Sequence, residues 1–294
     1  MTLPLKGLFA ALATVTIWAV FLVGTRFAVS TNFTVEEVLL LRLGTGFLVT
    51  IPLMLKLGVI PRGQSVIGAV MLGLGASALF PYIVSMGLFF APASDAGVLA
   101  PGMLPFWTAL VMVVMTGEQP SKPRLIGLIV IFIGALMVGL WQVLHGSADG
   151  AWRGHILFLS GSFLWAIYSV YFKQSGFTPQ HGLVIGLFWG TLAVAPFLAL
   201  SGNVSFAGVS PRDFLVMALL QGVLIAVLAL VLYAIAVRQL GAAQTAAFGA
   251  LTPVLALIGG ALFLGETVTL IKLIGVILVA AGVVLASGLF DRRA

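Results

Sequence analysis

The chain has 294 residues, 61% of them hydrophobic and 7% charged, with a formal net charge of +6 and no cysteine. Soluble domains carry roughly 25% charged residues, so this composition excludes a soluble enzyme or binding domain and indicates a membrane protein. The basic residues gather at the ends of apolar runs, where they orient a membrane chain, and so do not indicate nucleic-acid binding. The lack of cysteine removes disulfides, thiolate catalysis and Cys-based metal sites.

Apolar runs close to membrane-spanning length follow one another along the whole chain. They predict an all-α polytopic membrane protein with ten transmembrane helices, over residues 5–27, 35–57, 65–90, 93–115, 124–143, 154–173, 181–200, 212–237, 242–264 and 268–289. The first run lacks a small-residue cleavage site and leads into nine more, which favours a helix over a signal peptide. The loops are short and no G-x-x-x-x-G-K-[ST] motif is present, so neither ATP nor another cofactor is expected.

Two stretches indicate an internal repeat. Residues 103–127 read MLPFWTALVMVVMTGEQPSKPRLIG, and residues 251–275 read LTPVLALIGGALFLGETVTLIKLIG. In each stretch a proline precedes the glutamate of a Gly-Glu pair by 13 positions, and the two copies are 148 positions apart. The Trp-Ala pair at Trp18 recurs at Trp165, at an offset of 147. The chain is therefore predicted to consist of two repeats, residues 1–146 and 153–291.

The two repeats are predicted to have opposite orientations in the membrane, because each holds an odd number of helices. With the N-terminus in the cytoplasm, nine basic residues lie at inner helix ends and four at outer ones, which is the usual bias and places both termini in the cytoplasm. Inverted repeats are typical of secondary transporters, where exchanging the conformations of two similar halves turns an outward-open cavity into an inward-open one. The alternative is a duplicated membrane scaffold without transport.

A proline inside a helix, about a dozen apolar residues, a Gly-Glu pair and a glycine-containing last helix occur in both halves, with the Trp-Ala pair in the first helix of each. This pattern resembles the EamA-type members of the drug/metabolite transporter superfamily, and most of all the aromatic amino acid exporters of bacterial inner membranes. The resemblance covers nearly the whole chain. It implies two inverted five-helix repeats and a central cavity lined mainly by the first, third, fourth, sixth, eighth and ninth helices.

Aromatic side chains with a polar edge are the first candidates for a substrate site. An indole N–H or a phenol O–H needs a partner in a dry core, so such rings tend to face a polar cavity. Six of them lie inside predicted helices, and with one amide they form the predicted substrate-binding set: Trp18, Tyr82, Trp107, Trp165, Tyr168, Tyr233 and Gln244. Trp165 and Tyr168 are three positions apart and share a helix face. Ordinary helix packing is the alternative for each ring.

Three prolines inside predicted helices, Pro101, Pro105 and Pro253, are candidates for helix breaks or gating points. Proline frees backbone carbonyls and kinks a helix, and broken helices near the middle of the membrane are a common way to build a polar site. A bend that serves only packing is the alternative.

Few charges fall inside the predicted helices. Glu118 and Glu266 are predicted to bind free backbone N–H groups at the start of the helix that follows each of them, and a cation or proton site is the alternative. Arg42 is the one charge placed clearly inside a helix. It is predicted either to contact substrate or to extend outward to Glu36 and Glu37.

Neither a metal site nor an acidic coupling residue is predicted. His145, His155 and His181 lie in loops or at helix ends without metal-ligand spacing and are expected to be solvated. No Asp or Glu lies near the centre of a predicted helix, so the sequence leaves the coupling ion open.

These features predict a secondary transporter, not an enzyme, that exports amino acids, aromatic and other neutral ones, across the bacterial inner membrane by alternating access. Aromatic rings would hold the apolar side chain, while hydroxyls, Gln244 and backbone groups near the prolines would hold the ammonium and carboxylate. The alternatives are an exporter of another small metabolite or drug, a channel, and an intramembrane enzyme, which would need paired aspartates or a nucleophile with a base inside helices. The expected partners are the substrate and the bilayer, and the protein is expected to act as a monomer or homodimer.

Overall fold

The computed structural model describes residues 4–145 and 150–290, and within these ranges all regular structure is helical. In this part of the chain ten helices follow one another: α1 (Leu5–Ser30), α2 (Val35–Leu57), α3 (Val66–Phe90), α4 (Ala93–Thr116), α5 (Lys122–His145), α6 (Ala151–Ser175), α7 (Pro179–Leu200), α8 (Pro211–Leu240), α9 (Ala242–Phe248 and Leu251–Leu264) and α10 (Leu270–Ala286). Across the described ranges, nine are long and apolar enough to cross a membrane, and α10 is an apolar helix of 17 residues. The predicted all-α membrane architecture is confirmed.

Short loops join consecutive helices, so the chain passes back and forth between two faces of the bundle. The face at which α1 begins is termed the near face, and the face at which α1 ends is termed the far face. On the near face, Gly7 of α1 lies against Gln239 and Leu240 at the end of α8. On the far face, the Thr34 hydroxyl donates to the carbonyl of Asn203 in the loop before α8. Each repeat contributes five helices, so the second repeat is inverted relative to the first.

The contact between α5 and α10 shows how the two repeats are related. A Cβ atom added at Gly127 would lie 2.7 Å from the carbonyl oxygen of Gly282, and one added at Gly134 would lie 2.7 Å from that of Gly275. Only glycine allows the backbones to approach so closely. Gly275 and Gly282 are also the repeat matches of Gly127 and Gly134, so each contact is the two-fold image of the other. A pseudo-two-fold axis therefore passes between α5 and α10.

Six helices form the inner part of the bundle. α1 packs against α8, α9 and α3, while α4 packs against α9 and α6, and α3 packs against α6. α2 and α7 lie outside this group against α8 and α3, and the α5–α10 pair lies against α4 and α9. Large apolar side chains such as Leu55, Leu200 and Leu262 are exposed on the outside, as a surface in contact with lipid requires. The inner helices are the ones that hold the candidate site.

Candidate functional site

The inner helices are interrupted at matching positions in the two repeats. α3 contains a π-helical stretch at Met71–Leu79, and α8 contains one at Leu219–Leu228, which begins 148 positions later. α4 is π-helical over Val98–Gly102, and α9 is broken after Phe248, at the matching place. π-helical turns leave backbone groups in an altered register and are frequent at functional sites. The breaks therefore mark the middle of the inner helices as the candidate site.

The three predicted prolines lie at two of these breaks. Pro101 lies inside the π-helical stretch of α4, and Pro105 lies in the first turn of the regular helix that follows. Pro253 is near the start of the second segment of α9. The two helices touch here, because a Cβ atom added at Gly97 of α4 would lie 3.0 Å from Pro253 Cα. The prolines thus accompany the crossing of α4 and α9, and their gating role stays a prediction.

The predicted aromatic residues form separate groups on the inner helices. Trp18 of α1 packs against Tyr233 of α8, with ring centroids 5.5 Å apart. Trp165 of α6 packs against Phe80 of α3 at 4.5 Å and against Tyr168 at 5.7 Å. All five rings are half-buried. Trp18 and Trp165 are repeat matches, and α1 and α8 match α6 and α3, so the two groups lie at matching helix contacts, although Tyr233 and Phe80 are not matches of each other. Part of each ring is exposed.

The other three predicted residues lie elsewhere. The Tyr82 hydroxyl donates to Glu36 Oε1 at 3.3 Å, which directs this residue of α3 towards α2. The indole N–H of Trp107 in α4 is buried and has no partner within the described residues. Gln244 is half-buried in the first segment of α9. The structure therefore distributes the seven predicted residues over several helix contacts, and their role in binding stays a prediction.

A cluster of buried charged side chains joins the two repeats at the far face. Asp95, the third residue of α4, is completely buried, and its Oδ1 lies 2.7 Å from Nζ of Lys272 in α10. His155 of α6 donates from Nε2 to Asp95 Oδ2 at 2.9 Å. Lys272 Nζ also donates to Ser94 Oγ at 3.2 Å. Because Asp95 belongs to the first repeat and its two partners to the second, this far-face cluster holds the ends of α4, α6 and α10 together.

The far-face cluster corrects two predictions about charge. His155 is not solvated but 6% exposed, and Arg42 is not the only charge enclosed by helices, because Asp95 and Lys272 are buried too. His181 is half-buried, and the side chain of His145 lies outside the described part of the chain. The sequence does place each member of the cluster within the first turns of a predicted helix. It could not indicate that these side chains pair, because the partners are far apart in sequence and on different helices.

Glu266 closes the same face. Its carboxylate accepts hydrogen bonds from the backbone N–H groups of Ala93 at 2.6 Å and Ser94 at 3.0 Å, at the start of α4. A carboxylate is favourable there because it satisfies free N–H groups and complements the positive end of the helix dipole. However, Glu266 does not cap the helix that was predicted, which is the one that follows it in sequence. α10 is capped by the hydroxyl of Thr269, which accepts from the N–H of Lys272, and Glu266 instead caps a helix of the other repeat.

The near face lacks an equivalent closure in residues 4–145 and 150–290. Glu118, the repeat match of Glu266, is exposed, and no hydrogen bond from these residues reaches its carboxylate. The predicted capping of α5 by Glu118 is therefore not formed. The residues that match Ser94 and Asp95 are Ala242 and Ala243, which have no polar side-chain group. The Gly-Glu pair is thus present at both faces, but the ion-paired cluster belongs to the far face.

Arg42 lies within the bundle and has no counter-ion among the described residues. Its side chain is 9% exposed, and its guanidinium lies 5.0 Å from the ring centroid of Phe21. Glu36 accepts from the Tyr82 hydroxyl, and Glu37 accepts from backbone N–H groups in the loop before α8. The predicted extension of Arg42 to these two carboxylates is wrong. Among the described residues, Arg42 Nη1 has no hydrogen-bond partner.

A second buried polar group is incompletely bonded. Gln221, in the π-helical stretch of α8, has no exposed surface. Its Nε2 donates to the Thr25 hydroxyl at 2.9 Å, whereas its Oε1 has no partner within the described ranges. Gln221 is not among the predicted site residues, because a single amide in a long apolar run belongs to no motif.

Two inverted five-helix repeats with matched helix breaks define a two-repeat membrane transporter. The model of the EamA-like transporter family matches residues 5–140 and again residues 152–288. The chain therefore belongs to the EamA-like transporter family, whose members carry small molecules across membranes and are not enzymes. No curated protein matches the sequence. A protein crystal structure that is 19% identical superposes with a TM-score of 0.62 over 95% of this chain and 96% of that one, which shows a shared fold.

Proposed function

We propose that this protein exports neutral amino acids, aromatic ones among them, across the bacterial inner membrane by alternating access. In this proposal the near face, with both termini, is cytoplasmic, and the far face is periplasmic. The protein acts as a monomer or homodimer and uses no cofactor.

The observation that carries the proposal is the pair of aromatic groups at matching helix contacts, Trp18 with Tyr233 and Trp165 with Phe80. Half-covered rings on inner helices, next to π-helical stretches, suit an apolar or aromatic substrate side chain. An aromatic contact stabilises such a side chain by roughly 0.5–1.5 kcal/mol beyond the burial of its area. Each group pairs a ring of one repeat with a ring of the other, so a substrate bound at either group experiences the relative movement of the repeats.

Alternating access is supported by the difference between the two faces. Asp95, Lys272 and Glu266 join the repeats at the far face, whereas Glu118 at the near face is free of such contacts with the described residues. An inverted repeat permits a second conformation in which the roles of the faces are exchanged. The structure therefore corresponds, in this proposal, to the conformation closed towards the periplasm.

Uptake into liposomes that contain the purified full-length protein tests the proposal. The panel comprises phenylalanine, tryptophan, leucine and threonine, with a sugar and a lipophilic cation as substrates of other classes, and protein-free liposomes as the control. We expect saturable uptake of the amino acids, with the lowest half-saturating concentrations for the aromatic ones. Transport of the cation or sugar alone would support an exporter of another class, and flux that rises linearly with concentration would support a channel.

A further inference from the structure

Two incompletely bonded polar groups reach the same turn of α1. The Arg42 guanidinium lies over the ring of Phe21, and the Gln221 amide donates to the hydroxyl of Thr25. Phe21 and Thr25 are four positions apart, so they lie on one face of α1, separated by about 6 Å along its axis. The guanidinium and the amide therefore come from two different helices and converge on one side of α1.

The backbone contact between α2 and α8 brings together the helix segments that carry the two groups. A Cβ atom added at Gly222 would lie 3.0 Å from the backbone nitrogen of Gly46. Gln221 directly precedes Gly222, and Arg42 is one helical turn from Gly46. Both helices start at the far face, and the two residues lie roughly 10–15 Å along them at 1.5 Å per residue. The groups are thus inside the membrane part of the bundle, well below the far-face surface.

The two groups leave one cationic hydrogen-bond donor and one acceptor without partners on neighbouring helices. Arg42 Nη1 has no acceptor and Gln221 Oε1 has no donor within the described residues. Buried polar groups normally have hydrogen-bond partners, and an unpaired charge inside a membrane bundle is costly and marks a functional position. The neighbouring charged side chains bond to other groups. Glu36 and Glu37 are engaged as described above, and Arg26 donates to the carbonyls of α3.

We propose that Arg42 binds the carboxylate and that the Gln221 carbonyl oxygen binds the ammonium group of the substrate amino acid. This assignment rests on the proposed function. A guanidinium forms two parallel hydrogen bonds with a carboxylate, and an amide oxygen accepts from an ammonium. An α-amino acid carries both groups on one carbon, which matches one donor and one acceptor that meet at a single helical turn. Both residues are buried in this conformation, so the substrate reaches them when the inner helices separate.

Competition against labelled phenylalanine in the liposome assay tests each half of the site. Phenethylamine lacks the carboxylate, and 3-phenylpropanoate lacks the ammonium. Hydrogen bonds to charged groups contribute enough that each analogue should compete about 10- to 100-fold more weakly than phenylalanine against the unchanged protein. In R42Q, phenylalanine should compete no more strongly than phenethylamine, but it should still compete more strongly than 3-phenylpropanoate. Q221L should show the reverse pattern, and R42K should restore part of the lost discrimination.

A control variant and a stability measurement separate this role from a structural one. R153Q removes an exposed guanidinium at the start of α6 and should leave both discriminations intact. Without substrate, R42Q should melt at the same temperature as the unchanged protein or higher, because it removes an unpaired buried charge, and it should lose the stabilisation that phenylalanine confers.

Three results would overturn the assignment. If the unchanged protein transports phenylalanine and both variants keep both discriminations, the assignment alone fails. It also fails alone if R42Q has a lower melting temperature and loses affinity for all three ligands equally. If the unchanged protein transports no amino acid, the proposed function fails and the assignment fails with it.

Discussion

Breaking the far-face cluster should open that face. Asp95→Ala removes the acceptor that Lys272 and His155 share, and both of these side chains are buried, at 4% and 6% exposure. Removing one partner of a buried ion pair costs about 3–5 kcal/mol, because a charge is left without compensation. In a conformation whose far face is open, water compensates the charge and the cost disappears. The closed conformation should therefore lose a factor of about 10² to 10⁴ in population relative to the open one.

The absence of cysteine allows a direct assay. Ala96 follows Asp95 and is completely buried, so a single Ala96→Cys thiol should react slowly with a charged maleimide in nanodiscs. Adding Asp95→Ala should raise the rate strongly. Combining Asp95→Leu with Lys272→Met should return it towards the parent value, because an apolar pair replaces a buried ion pair with little loss. An unchanged rate in a well-folded Asp95→Ala protein would refute the idea that the cluster closes the far face.

Three further predictions concern the Gly-Glu pairs, the orientation and the aromatic groups. Glu266→Gln should lower the free energy of unfolding by about 1.5–3 kcal/mol, which is the contribution of hydrogen bonds to a charged group. Transport per folded molecule should be retained. Glu118→Gln should change the melting temperature little, and equal losses in the two variants would contradict the assigned contacts. Single cysteines at the exposed positions 119 and 267 should differ in intact cells, where an impermeant reagent reaches only 267. Labelling of both, or of neither, is incompatible with the inverted topology. Trp165→Ala and Tyr168→Ala should raise the half-saturating concentration several-fold for phenylalanine and tryptophan and less for threonine. Unchanged kinetics for every amino acid in folded variants would show that this face serves packing.

The fold was accessible from the sequence because its determinants are local or periodic. α2, for example, starts and ends as predicted, since Thr34 forms a capping box with Glu37 and Gly58 adopts a positive φ of 75° at the other end. The offset of 148 between matching residues indicated two repeats, and the matched π-helical stretches obey the same offset. Hydropathy could not reveal that those stretches are π-helical, because apolar runs look alike in either geometry.

The charged and polar contacts were less accessible. Asp95 and Lys272 form an ion pair across 177 positions and two repeats, and only the packing of α4 against α10 brings them together. Glu266 was expected to cap the next helix because local sequence favours the nearest N-terminus, yet the fold brings the start of α4 closer. For Arg42, the sequence left two alternatives open. The structure removes one of them, since Glu36 and Glu37 bind other groups.

Entrance counterflow tests the central claim most directly. Liposomes that contain the purified protein are loaded with unlabelled phenylalanine and diluted into a trace of labelled phenylalanine. A carrier that alternates between two conformations should accumulate label transiently above the outside concentration and should saturate as the loading concentration rises. Equilibration of label without an overshoot, at a rate proportional to concentration, would contradict alternating access and indicate a channel.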